Sequence, residues 1–138
     1  MSQNILLDIY TYFMRELKTI TIISAFTLLL DYLYLSSFST HFGKVFKEIQ
    51  GSKINLVITS TIFVYVLLIF TMYYFGFVKK LSSYEIGILG AVIYGIYEGT
   101  NHATLKQWPI WMVVIDTLWG GLLFFSVVSL TKLLLAII

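Results

Sequence analysis

Three carboxyl side chains occupy positions where carboxylates are expensive. Asp31, Glu98 and Asp116 fall well inside long apolar stretches, whereas the nine lysines and arginines all lie at or beyond the ends of those stretches. An ionisable group at mid-span costs ~2.5–3.5 kcal/mol on insertion scales, so three of them need compensation. Carboxylates held close together do not all ionise cheaply, and either a proton is retained or a cation sits among them. A hard cation such as Mg²⁺ or Ca²⁺ takes oxygen ligands, for which Asp31, Glu98, Asp116 and the amide oxygen of Asn101 are candidates. His102 widens the choice toward Mn²⁺, Fe²⁺ or Zn²⁺. A divalent cation is therefore the one cofactor these residues suggest. The remaining alternative is that the carboxyls are protonated, or bonded to Tyr and Trp, and hold helices together.

Counting residues places the three acids at one depth. Glu98 lies nine residues before Gln107 and Asp116 nine after it, so a helical hairpin turning there brings both to one level. At 1.5 Å per residue that level is roughly 10 Å inside the helix ends. Asp31 precedes Ser37 by six residues, about 9 Å from an end that emerges on the same face. Polar neighbours share their helical faces: Ser24, Thr27, Asp31 and Tyr34 on one helix; Tyr94, Glu98, Asn101 and His102 on another; Asp116, Trp119 and Gly120 on a third. Such stripes are expected to face each other rather than lipid. His41 lies on the same side and is placed to cap them.

The elements that position these residues follow from composition. Of 138 residues, 59% are hydrophobic and 12% charged, and the mean hydropathy is +0.89. Soluble domains carry about 25% charged residues, and so short a chain cannot enclose this much apolar surface. The chain therefore belongs in a membrane. It has no cysteine, which removes disulfides, thiolate catalysis and Cys-ligated metals. A net charge of +2 from scattered residues leaves no footprint for nucleic acid.

Four stretches, at about 18–37, 54–78, 84–105 and 110–135, meet the ~20 residues a bilayer span requires. The reading is an all-α integral membrane protein with four transmembrane helices in one membrane domain, residues 1–138. In residues 1–17, and on to Lys18 where the first stretch begins, polar side chains recur at Asn4, Asp8, Thr11, Arg15 and Lys18, opposite Leu6, Ile9, Tyr10, Phe13 and Leu17. This predicts either an amphipathic interfacial helix or an N-terminal extension of the first span. Phe42, Val45, Phe46 and Ile49, with Lys44, Lys47 and Glu48 between them, predict a second short interfacial helix ended by Gly51. Pro109 suits the first turn of the last helix, and Trp108 and Trp111 read as interfacial aromatics at headgroup depth.

Small residues recur on the third span at Gly87, Ala91, Gly95, Gly99 and Ala103. The ladder predicts close packing within the chain, or a homo-oligomer through the Gly87, Ala91, Gly95 and Gly99 face. Basic residues number five on the terminal side (Arg15, Lys18, Lys79, Lys80, Lys132) against four opposite, which leans toward cytoplasmic termini. Membrane lipid is the one partner the composition demands. Against an enzyme stand missing motifs: no His-rich di-iron set, no nucleophile elbow, no HExxH and no phosphate-binding glycine loop.

The run from Tyr94 to Pro109, YGIYEGTNHATLKQWP, followed by Val114-Ile-Asp-Thr-Leu-Trp-Gly120, resembles the signature of a family of small bacterial predicted inner-membrane proteins, domain-of-unknown-function family 2177. Asp31 with Leu33 and Tyr34 resembles that family's first-helix motif, where tryptophan is usual in place of Tyr34. The resemblance covers nearly the whole chain from the first span onward. It implies a shared site at Asp31, Glu98, Asn101 and Asp116 and supplies no reaction. Within the chain, Asp31-x-Leu33-Tyr34 and Asp116-x-Leu118-Trp119 also resemble each other on helices of opposite direction, as an inverted repeat would.

The functional expectation is a multi-pass membrane protein whose buried carboxylate cluster binds a cation or relays protons, in a transport-like role. The alternative is a metal-dependent enzyme acting on a lipid or other membrane substrate. The second alternative is a structural or assembly protein in which the carboxyls pack helices.

Overall fold

The computed structural model describes residues 2–138, with side chains from residue 4 onward. Four helices make up the fold: α1 (Ser2–Gln50), α2 (Ile58–Tyr73), α3 (Ser83–Thr104) and α4 (Ile110–Ile137), with α2 continued by a π turn, Tyr74–Val78. No strand occurs among the described residues.

The 49 residues of α1 form one continuous helix, about 73 Å long at 1.5 Å per residue. The N-terminal residues therefore extend the first span, and the expected separate interfacial helix at Phe42 to Gly51 is corrected to the last turns of α1. Residue 1 of the segment lies outside the described residues. No proline interrupts this stretch, and its hydroxyls bond back along the helix: Thr19 to the Arg15 carbonyl at 2.9 Å, Thr27 to Ile23 at 2.7 Å and Ser37 to Leu33 at 2.7 Å. Such bonds satisfy a hydroxyl where lipid offers no partner. The helix stops at Gly51, whose φ of 73° lies in the left-handed region that favours glycine.

Helix α3 begins at a capping box that the sequence reading passed over. The Ser82 hydroxyl accepts from the Glu85 amide at 3.3 Å, and the Glu85 carboxylate accepts from the Ser82 amide at 2.8 Å. The turn into α4 passes through Gln107, at φ 68°, before Pro109.

By length and composition three helices can cross a membrane: α1, α2 with its π turn, and α4. On this measure three of the four expected spans are found, and α3 is the one that falls short. With 22 residues α3 is long enough, but Glu98, Asn101, His102 and its glycines lower its hydropathy. Close packing along α4 gives α3 its place. A Cβ at Gly90 would overlap the Gly120 carbonyl and the Phe124 ring, and one at Gly120 would overlap Tyr94. Gly87 and Ala91 lie against Gly121, and Gly95 against Thr117, so α4 occupies these rungs of the ladder; Gly99 faces open space.

The core has two levels. Ile23, Met72, Ile86, Leu123, Phe124 and Val127 are fully buried toward the terminal side. Toward the other side Tyr34, Phe42, Val45, Trp108 and Met112 pack together, which is what ties the last turns of α1 to the start of α4.

Candidate functional site

Between these two levels the carboxyls meet their partners. Asp31, 7% exposed, accepts from the Tyr65 hydroxyl of α2 at 2.5 Å and from the Trp119 indole of α4 at 3.0 Å. The Trp119 ring stacks on Tyr34 of α1, with centroids 4.3 Å apart and planes 7° from parallel. The Tyr34 hydroxyl in turn donates to Asp116. The two similar motifs thus exchange partners. The aromatic residue of Asp31-x-Leu33-Tyr34 bonds the aspartate of Asp116-x-Leu118-Trp119, and the reverse holds as well. Each ring sits three residues beyond its own aspartate, on the same helical face, and antiparallel helices let the two motifs clasp.

Glu98 is 1% exposed and accepts from the Trp108 indole at 2.8 Å. Its carboxyl faces that of Asp116 within side-chain hydrogen-bonding reach. The depth inferred by counting about Gln107 thus corresponds to direct approach of this pair. Trp108, expected at headgroup depth, is instead 4% exposed and turned inward. Its carbonyl lies 2.8 Å from His102 Nδ1, while the His102 side chain reaches the surface. Trp111 stacks on Phe42 with centroids 6.2 Å apart.

Asn101 lies one turn beyond Glu98, and its Nδ2 is buried without a hydrogen-bond partner. Tyr94 packs edge-on against Phe124 and over Gly120. Ser24 and Thr27 spend their hydroxyls on backbone carbonyls of α1. His41 lies exposed, its ring 6.4 Å from that of Phe38.

Buried Asp31 and Glu98 and half-buried Asp116 all accept hydrogen bonds from Tyr or Trp, and none pairs with a cation. The ion pair among the described residues is Arg15–Glu16, at 3.0 Å. No group of three His, Asp or Glu side chains among the described residues converges to hold a metal ion. Glu98 and Asp116 come together, while Asp31 is engaged by Tyr65 and Trp119. The donor set is thus a carboxyl pair with phenol and indole neighbours, which holds protons well and offers a hard cation too few oxygens.

Sequence reasoning missed Tyr65 and Trp108. Tyr65 sits on the helix without charges, where one phenol gives no periodic signal. Trp108 sits in a connection whose aromatic residue suits an interface equally well.

An all-helical membrane protein with an internal carboxyl pair is the class that this fold and site define. The family model described as Predicted membrane protein (DUF2177) matches residues 16–133, and the chain belongs to that family. No curated protein and no solved structure matches the chain.

Proposed function

We propose that Glu98 and Asp116 form a proton-binding pair through which this protein relays protons, in a transport-like role. The observation that supports the reading is the approach of buried Glu98 and half-buried Asp116, whose hydrogen-bond donors are Trp108 and Tyr34, with no lysine or arginine paired to either. Two negative charges in contact away from water are costly, and a proton between them removes one charge and supplies the hydrogen bond. Tyr34 and Trp119 extend the connection toward Asp31. His102, reaching the surface beside Trp108, is the titratable group on the outer side of Glu98.

In this reading α3 crosses the bilayer alongside α4, both termini are cytoplasmic, and the pair lies nearer the opposite face. The excess of basic residues on the terminal side is small but has the sign required.

The test is proton flux into proteoliposomes carrying an internal pH dye. The parent protein is expected to dissipate an imposed pH gradient faster than empty vesicles, and Glu98→Gln and Asp116→Asn each to abolish the difference while melting as folded proteins. Parent vesicles no leakier than empty ones would overturn the relay. A second reading, that the carboxyls hold helices together, draws on Asp31 bridging α1, α2 and α4. It predicts no flux, and a loss of stability in every carboxyl variant.

A further inference from the structure

The last turns of α1 carry a charge pattern that the carboxyl site does not use. Thr40, Gly43, Lys44 and Lys47 share one face of the helix, at spacings of three and four. After Gly51 the chain reverses, and the Gln50 side-chain amide donates to the carbonyls of Ser52 at 3.1 Å and Lys53 at 2.9 Å. That clamp holds the returning segment against the helix. Between the two walls runs a groove of about 440 Å³ lined by Ser39, Thr40, Gly43, Lys44, Lys47 and Lys53, with Ile54 at its edge. Gly43 forms an open floor, because a Cβ built there meets nothing within 4 Å.

Three ammonium groups round one groove repel each other, and none has a carboxylate within ion-pair distance among the described residues. Glu48 is the one acid between Asp31 and Glu85, and it does not line the groove. Compensation of the carbonyl end of α1 accounts for Lys47 alone. The depth is informative too, since in these same turns Phe42 stacks on Trp111, whose indole stays exposed. Aromatics of this kind sit where apolar spans reach the headgroups.

We propose that this groove binds the phosphate of an anionic phospholipid headgroup, with Lys44, Lys47 and Lys53 as its cationic lining and Ser39 and Thr40 as its hydroxyl donors. Lysines near a bilayer surface attract anionic lipid, and the exposed, apolar Ile54 gives the glycerol end of such a lipid a wall that free phosphate does not need.

The experiment titrates the full chain, purified in neutral detergent, with short-chain phosphatidylglycerol, with phosphatidylcholine of the same acyl length, and with inorganic phosphate, following the melting temperature. Phosphatidylglycerol is expected to bind about tenfold more tightly than phosphatidylcholine. Lys44→Gln with Lys47→Gln should erase the preference. Gly43→Leu should erase it too, because it fills the groove while leaving every charge in place; a helical glycine with free space tolerates the change, as melting without lipid will show. Equal binding of the two lipids overturns the proposal. So does a preference that survives Gly43→Leu, which would mean diffuse surface attraction. Inorganic phosphate binding as tightly as phosphatidylglycerol overturns the lipid as the source of the phosphate.

Discussion

The indole of Trp119 lies flat on the phenol of Tyr34, 4.3 Å between ring centroids, and each ring donates a hydrogen bond to the aspartate that belongs to the other's helix. The stack joins α1 to α4 and ties the aspartate of each helix to an aromatic ring of the other. Asp116 also pairs with Glu98, and Asp31 with the Tyr65 hydroxyl.

The clasp predicts coupled variants. Tyr34→Phe and Trp119→Phe each remove one donor from an internal carboxyl, half-buried Asp116 and buried Asp31 in turn, while preserving an aromatic ring, at a cost of about 1–3 kcal/mol each. Because each ring orients the other, the double variant should depart from additivity by about 0.5–3 kcal/mol. Denaturation of the four proteins in detergent measures this, and strict additivity would mean that the stack transmits nothing.

For the carboxyl pair the prediction concerns the sign of a stability change. Glu98→Gln replaces a carboxyl by an amide that can still donate to Asp116, so stability at neutral pH should be unchanged or higher. Were a cation held there, the same change would remove a ligand and lower stability. Thermal melting with and without a chelator separates the two.

Gly90 and Gly99 should behave oppositely despite similar surroundings in sequence. Gly90→Ala drives a methyl group into the Gly120 carbonyl and Phe124, where overpacking costs about 1–3 kcal/mol or more. Gly99→Ala meets open space and should be neutral or slightly stabilising through helix propensity. Equal losses in melting temperature would mean that α3 is rotated relative to α4.

Trp108→Phe tests the inward reading of an aromatic that resembles a membrane anchor. It removes the donor to Glu98 Oε2 at the cost of about 1–3 kcal/mol, and in proteoliposomes it should alter proton flux. Trp111→Phe, changing a ring stacked on Phe42 with no bond to a carboxyl, should leave flux at the parent level. If both variants behave alike, Trp108 does not serve Glu98.

Topology follows from α3 lying along α4. Accessibility labels at Ser52 and at Gln107 should react from one side of the membrane, and labels at Lys80 from the other. Labels at Ser52 and Gln107 reporting opposite sides would show that α3 does not traverse the bilayer with its partner.

Much of this protein follows from composition and local pattern alone, because a bilayer imposes simple rules. Apolar length determines helices, and buried charge is costly enough that Asp31, Glu98 and Asp116 stand out without any coordinates. Depth is also readable, since a helix rises uniformly and the turn at Gln107 works as a mirror between Glu98 and Asp116. Azimuth and pairing are not readable, because they depend on how one helix is rotated against another. Only the tertiary structure shows that Trp108 turns inward, that Tyr65 of an uncharged helix reaches Asp31, and that Gly90 rather than Gly99 marks the tightest approach. The same holds for the length of α1: its three local patterns look like three elements, yet nothing between them breaks a helix, and packing of Phe42 and Val45 against Trp108 and Met112 carries it straight to Gln50. The exchange of partners between Tyr34 and Trp119 is decided last, by the meeting of two antiparallel helices that each place an aromatic ring one turn beyond an aspartate.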